Sequence, residues 1–374
     1  MRALVVTWAS GGNLPPLLAV AEDLSNRGLV VDVLASGATR VHAARRGMPM
    51  LPYRTAPEPD QSVPFELIAA QLSGQAAGLA VARDVLDTVR STSPDLLVAD
   101  CMLPAALAAG EAAGVPTASV VHFPYALARA FMTREGDAWT TDRPTLDTTR
   151  RELGLQATAS ALDAWESPKR LLVTLPRWFD APGELPAHVV HAGPLGIRGR
   201  GQGGSDSSPP RALLSFSTTV MQGQKGLVAN VVAAVEVAGL AGMLTLGPAL
   251  PRGLVDPGAA VDVVEWAEHD VVMPSCDLVV THGGLGTTLR ALAHGRPQLV
   301  LPLGRDQHFN ASRVAELGAG LTLPADAPAA EIALALQRLV AEPSYRKRAA
   351  ELAEAIAVDR ADARACDALL DVAS

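Results

Sequence analysis

Short β-branched runs alternate with longer Ala- and Leu-rich runs along this chain. Residues 3–7 (ALVVT) make one apolar run of strand length, followed by a Gly11-Gly12 turn and an apolar helical stretch that stops at Gly28. Leu29–Leu34 predicts the next strand. A strand–turn–helix–strand unit with near-continuous apolar strands implies a parallel sheet covered on both faces. Further strands are predicted at Asp95–Ala99, Thr117–Val121 and Leu171–Thr174. Between Ala126 and Pro168 the chain turns polar and Trp-bearing, which reads as an inserted lid or a pair of surface helices.

Residues 199–210 (GRGQGGSDSSPP) contain Gly, Ser and Pro and no apolar side chain, the composition of a linker. After them the alternation restarts. Strands are predicted at Ala212–Ser217, Gly242–Thr245, Val261–Glu265, Leu278–Thr281 and Gln298–Leu301, with a helix at Gly226–Val237. Ala329–Val372 reads as helical in two parts that break near Val358–Asp359. The fold expectation is therefore α/β, with two Rossmann-like domains facing each other across a cleft. Residues 1–198 form the first domain, 199–210 the linker, 211–357 the second domain, and 358–374 a helix returning to the first. Open parallel sheets bind ligands beyond the carboxyl ends of their strands, so the site is expected there.

The length of 374 residues suits two domains. A net charge of −8 argues against a nucleic-acid-binding face, which would be basic. Cys101, Cys276 and Cys366 are far apart and form no CxxC pair, against a disulfide framework or a structural zinc site and in keeping with a reducing cytosol. The start, MRALVVTWASGG, lacks the apolar core of a signal peptide. The most apolar stretch, Gly226–Leu250, carries Asn230, Glu236 and several glycines, so it reads as a buried helix and strand rather than a membrane span. A cytoplasmic protein is expected, and a homodimer is compatible with the chain.

Chemistry concentrates in Leu278–Gly320. An apolar strand ends at His282 and runs through Gly283-Gly284-Leu285-Gly286-Thr287-Thr288 into a helix. Unpaired N–H groups at a helix start favour an anion, and glycines let a phosphate approach the backbone. The pattern is neither GxxxxGK[ST] nor GxGxxG. After the next strand come Asp306 and Gln307, which together can hold several hydroxyls. A phosphate site beside a polyol site points to a nucleotide sugar. An ordinary Gly turn between strand and helix is the plainer alternative.

The segment His282–Asn310 closely resembles the donor-binding motif of the GT-B family 1 glycosyltransferases, nearest the bacterial branch that decorates antibiotics such as macrolides, enediynes and aromatic polyketides. SGGNLPPLLAVAEDLSNRG, PDLLVAD, LLSFSTT and WAEHDVVMPSCDLVVTHGG resemble further segments of that family, in its order. The resemblance implies an inverting transfer of a sugar from a nucleoside diphosphate to a large apolar natural product, with no metal and no resident cofactor. No Asp-x-Asp motif occurs. It implies that His282 and the backbone of Gly283, Gly284, Gly286 and Thr287 hold the diphosphate, and that Asp306 and Gln307 hold the sugar. Ser217 and Thr218 would close over the phosphates. Trp266 would stack on the pyrimidine and Ala267 bond it through the main chain, with a packed core aromatic as the other reading of Trp266. Gly12 is placed on the donor side of the first loop. In UDP-sugar members a glutamate late in the motif binds the ribose; here the slot holds Arg290, which favours a dTDP donor. Phe65, His122, Phe123 and Tyr125 are the candidate acceptor contacts, with core packing as the alternative.

One departure matters. Where the family has a Gly-His pair that deprotonates the acceptor, this chain has Gly12-Asn13. An amide is no base. Four readings stand open: Asn13 orients and Asp100, matching the family's acidic partner, acts directly or through water; another residue substitutes, such as His122 or an acid from the 126–168 segment; the acceptor needs no strong base; or the protein is a non-catalytic nucleotide-sugar-binding helper. A GT-B-fold epimerase suits the loops less well.

Overall fold

The computed structural model describes residues 1–8, 12–39, 47–58, 65–135, 142–180, 183–199, 208–217, 224–247, 250–251, 253, 256–361 and 364–373, with the backbone alone at 38, 65–70, 134, 135, 360 and 361. The chain divides into two units, Met1–Gly196 with Asp362–Ser374, and Ile197–Ala361. Each is built around one parallel sheet.

The first sheet contains β1 (Arg2–Val6), β2 (Val30–Ala35), β3 (Met50–Pro52), β4 (Leu96–Asp100), β5 (Thr117–Val121), β6 (Arg170–Val173) and β7 (Val189–His191), in the order β3-β2-β1-β4-β5-β6-β7. β4 and β5 are buried at every position, as expected of strands covered on both faces. One face packs on the helix Leu14–Asn26 and the C-terminal helix Arg364–Ala373, which contribute Leu17, Leu18, Leu24, Leu369 and Val372. The other packs on helices Leu79–Thr92 and Pro104–Ala113 through Val81, Val85, Ala106 and Leu107. Pro15 and Pro16 lie in the first turn of the 14–26 helix, where missing N–H groups cost nothing, and Gly28 at φ +87° turns the chain into β2.

The second sheet contains β8 (Arg211–Ser215), β9 (Ala241–Thr245), β10 (Val261–Val264), β11 (Leu278–Thr281), β12 (Gln298–Val300) and β13 (Gly320–Thr322), in the order β10-β9-β8-β11-β12-β13. Helices Lys225–Val237 and Ala329–Ala341 cover one face with Val228, Val231, Val235, Ile332 and Leu336. In both sheets the strand order reverses once, between β1 and β4 and between β8 and β11, and such switch points open a crevice at the strand ends.

The strands expected from the pattern are present within a residue or two of their bounds. β3, β7 and β13, three residues each, are additional. The 126–168 segment is not a polar lid or a helix pair. Its described residues include three helices, Tyr125–Glu135, Arg143–Glu152 and Ala161–Glu166, with Leu146 and Trp165 buried. The expected break near Val358–Asp359 lies later: Leu352, Ala353 and Ile356 keep one buried stripe, and the helix runs unbroken from Pro343 to Ala361. Most of the 199–210 linker falls outside the described residues. Among the described residues no helix is long and apolar enough to cross a membrane.

Candidate functional site

In the second domain, β11 delivers His282 to its carboxyl end, and the helix Leu285–Ala293 starts three residues later. Gly284 is its N-cap, and no side chain caps it, so the first N–H groups point outward from the turn. Two glycines are required by contact. Gly283 has φ +86°, and a Cβ there would lie 2.9 Å from Val300 Cγ1. A Cβ on Gly284 would lie 2.7 Å from His282 Nε2. The imidazole therefore sits against the turn. His282 is 8% exposed, and its Nδ1 is buried without a hydrogen-bond partner. Burial pulls its pKa down to about 4, partly offset by the Ser215 backbone and reinforced by the charge of Arg305. The ring is thus neutral near pH 7. Arg305 itself is exposed and adopts φ +60°, a strained conformation for a residue with a Cβ.

Asp306 and Gln307 follow β12 at the start of the helix Gln307–Glu316. Gln307 Oε1 accepts from the N–H groups of Leu303 at 2.8 Å and Gly304 at 3.1 Å, so its amide shapes the loop from within. Asn310 links the two motifs: its Nδ2 donates to Gly283 O at 2.9 Å and to Asp306 Oδ2 at 3.1 Å. Ser217 lies beyond the end of β8, opposite β11 in the register Thr281↔Ser215. Its N–H donates to Gln224 Oε1 and Gln224 Nε2 donates back to its carbonyl, both at 2.9 Å, so buried Gln224 clamps the position. Thr218 lies outside the described residues. Trp266 is 65% exposed, which removes the packed-core reading, and Ala267 follows it half-buried. Gly286 is exposed and Thr287 half-buried in the first helical turn. Arg290 pairs with Asp270 at 3.5 Å and donates to Gly286 O at 3.2 Å, while His294 Nε2 meets Asp270 at 3.0 Å.

In the first domain the site lies at the β1/β4 switch point. Asp100 ends β4 and is 0% exposed. Its Oδ1 faces His122 Nε2 at 2.9 Å and accepts the Met102 N–H at 2.9 Å; its Oδ2 accepts from Asn13 Nδ2 at 2.6 Å. Register explains the meeting: Asp100 pairs with Val120, and His122 lies two residues on, the same-face position. Asn13 Nδ2 also donates to Trp8 O at 3.2 Å. Gly12 beside it is exposed. Burial would raise the Asp100 carboxyl, but the His122 charge and the bonds from His122, Asn13 and Met102 hold it below the usual carboxylate range. Burial would lower His122, but Asp100 and then Cys101 hold it well above the usual histidine value.

Two expectations change here. Asp100 cannot act directly on an acceptor, because it is enclosed and both oxygens are engaged. Tyr125 is not an acceptor contact: it is buried, stacks on Trp165 at 5.4 Å, and spends its hydroxyl on Glu166 at 2.5 Å. Phe123 stacks on the same Trp165 at 6.0 Å and stays half-buried. The Phe65 side chain lies outside the described residues. A small apolar cavity instead opens between Trp8, Tyr53, Ala56, Val81 and Leu103, and the Trp8 Nε1 is buried without a partner. Its wall is fixed by buried Asp84, which accepts from the N–H groups of Arg54, Thr55 and Ala56 and from the Thr55 hydroxyl, each at 2.9 Å.

Among the described residues, Asp100, Cys101 and His122 form a group whose ligand atoms lie within 4.8 Å of one another. They do not fit a metal ion: the carboxylate is already spent on three donors, and burial keeps the Cys101 thiol protonated.

Two parallel-sheet α/β domains, each with one switch point, give the chain the GT-B fold. The structure aligns over 100% of this chain and 99% of a crystal structure of the glycosyltransferase of kitacinnamycin, at 20% identity and a TM-score of 0.84. Residues 252–370 match the family model described as the erythromycin biosynthesis protein CIII-like, C-terminal domain. Similar proteins include the elloramycin glycosyltransferase of Streptomyces olivaceus, 44% identical over 112 residues, which are 30% of this chain and 28% of that protein. The TDP-daunosamine transferase of Streptomyces peucetius is 41% identical over 104 residues, 27% of this chain and 24% of its own length. The matched segments thus span about a quarter of these relatives.

Proposed function

We propose that this protein is an inverting glycosyltransferase that moves a sugar, a deoxysugar included, from a dTDP donor onto a hydrophobic natural-product acceptor in antibiotic biosynthesis. One observation carries the reading. The buried His282 ring sits with its Nε2 against an uncapped helix start on two sterically required glycines. No side chain caps the first N–H groups of that helix, which suits a diphosphate. Neutral N–H groups aimed at the leaving diphosphate would stabilise the charge that develops there, without a metal and without a resident cofactor. Asp306, held by Asn310, offers its carboxylate to sugar hydroxyls. Exposed Trp266 offers a face to the pyrimidine.

The dTDP preference is supported at Arg290. Its guanidinium is tied to Asp270 and to Gly286 O, so this slot presents no carboxylate to a 2′-hydroxyl. The similarity to a TDP-daunosamine transferase points the same way. The test is turnover with dTDP- and UDP-forms of one sugar, alongside calorimetric titration of dTDP. Faster transfer from the dTDP form and at least about tenfold weaker dTDP binding in His282→Ala are expected, the size of one lost buried donor contact. A preference for UDP would overturn the donor assignment, and unchanged dTDP affinity in His282→Ala would overturn the site. Binding without hydrolysis or transfer across many acceptors would return the helper reading.

A further inference from the structure

We propose that His122 is the base that takes the acceptor's proton, with Asp100 as the fixed carboxylate behind its ring and Asn13 as the clamp on that carboxylate. The assignment rests on the glycosyl-transfer reading and adds to it the group that activates the nucleophile.

The three residues have complementary chemistry. Asn13 has no basicity, and its Nδ2 is committed to Asp100 Oδ2 and Trp8 O. Asp100 is wholly enclosed. The His122 side chain is 13% exposed and lies just past the end of β5, on the carboxyl side of the sheet. Its Nε2 faces Asp100 Oδ1 at 2.9 Å, so the ring proton belongs on Nε2. That leaves Nδ1 as the nitrogen not taken up by Asp100, with a lone pair for an incoming proton. A carboxylate that orients an imidazole and stabilises its protonated form is the general logic of a His–Asp pair. Asn13 makes the carboxylate rotationally fixed: Oδ2 is held from one side, Oδ1 by Met102 N–H from another.

The step balances. The acceptor O–H bond breaks, its proton passes to His122 Nδ1, and the oxygen's electron pair forms the bond to the anomeric carbon. The bond from that carbon to the diphosphate oxygen breaks, and its electrons leave with the nucleoside diphosphate. The proton is then lost from the imidazolium to water.

The groups facing the imidazole are Asp100 from β4, the Cys101 thiol from the turn behind it, and the Phe123 ring edge-on at 5.3 Å. Tyr53, just past β3, feels the Asp100 charge and stays protonated, chiefly because burial raises it. Among the described residues Asp100 is thus the charged group against the ring, and it favours the imidazolium. The base form is reached only as pH rises through a value above the ordinary ~6.5 of histidine. Replacing Asp100 by a neutral amide removes the raising influence and leaves burial, which lowers it.

The experiment is a pH profile of kcat/KM for transfer in wild type, His122→Gln and Asp100→Asn, with dTDP affinity and unfolding midpoint measured for each. Wild type is expected to gain activity with pH along a single-proton limb centred above ~6.5. His122→Gln should lose at least about 100-fold and lose the limb, with dTDP affinity unchanged. Asp100→Asn should move the limb to lower pH and reduce its plateau. A merely structural His122 would leave the limb in place. A folded His122→Gln within about threefold of wild type, or an Asp100→Asn limb that does not move, would overturn the proposal, since general-base catalysis is worth far more than that. A wild type that transfers no sugar from any dTDP donor would sink both this and the glycosyl-transfer reading, whereas an active wild type with an indifferent His122→Gln sinks this alone.

Discussion

His282 makes the second domain acid-sensitive by a calculable amount. Burial holds its folded-state value at about 4, whereas an unfolded histidine titrates near 6.5. Above ~6.5 the ring is neutral in both states and contributes nothing to the pH dependence. Between the two values the unfolded chain binds a proton that the folded chain refuses, so stability falls as pH falls. The slope is about 1.4 kcal/mol per pH unit, and the loss reaches on the order of 3 kcal/mol by pH 4. The cause is desolvation of a ring packed under Gly284, so His282→Gln, of similar size and no charge, should abolish this share of the loss. Urea unfolding at pH 7.0, 6.0, 5.0 and 4.5, followed for both proteins, isolates the difference. The wild-type midpoint should drop more steeply, by the equivalent of roughly 2–3 kcal/mol over that range. Parallel curves would refute a buried neutral His282. The same physics has a functional face: a diphosphate beside the ring favours its protonated form. Binding of dTDP below about pH 6 should therefore take up a proton, read calorimetrically in buffers of different ionisation enthalpy, and His282→Gln should remove that uptake.

Three further outcomes follow from contacts. Asp84→Ala should cost roughly 1–2 kcal/mol in chemical denaturation, because it removes the shared acceptor of three part-buried N–H groups, and should raise the acceptor KM while dTDP affinity holds. Gly284→Ala should weaken dTDP binding by at least about tenfold with little change in melting, since the new Cβ meets His282 Nε2 at 2.7 Å and displaces the ring. Asn310→Ala should weaken donor binding through the freed Gly283 carbonyl and Asp306, by roughly 1–2 kcal/mol in titration calorimetry, while leaving acceptor KM alone.

Much of this architecture is written locally. The strands at 117–121 and 278–281 are apolar, β-branched and bounded by turn residues, so periodicity finds them. The His282–Thr287 turn follows from glycine spacing before a helix. β3, β7 and β13 are three-residue strands whose pairing is set by the neighbouring strand rather than by their own composition; β3 even ends in Pro52. The Trp165-centred helices read as surface because their charges mask a short buried stripe. Long-range polar partners carry still less local signal. Gln224 clamping Ser217, Asp84 holding 54–56, and His191 meeting Asp180 at 2.7 Å are each closed by tertiary structure. Asn310 could have been found, since it stands one helical turn after Asp306. His122 was visible only as a histidine near a strand end; the β4–β5 register turns it into the partner of Asp100.

The central claim, that the turn before the 285–293 helix is the diphosphate site, is tested most directly by a crystal structure of the protein with dTDP. The account predicts phosphate oxygens within hydrogen-bond distance of His282 Nε2 and of the first N–H groups of that helix, with the thymine against Trp266. Diphosphate density anywhere else in the molecule, with that turn and the His282 ring untouched, would contradict it.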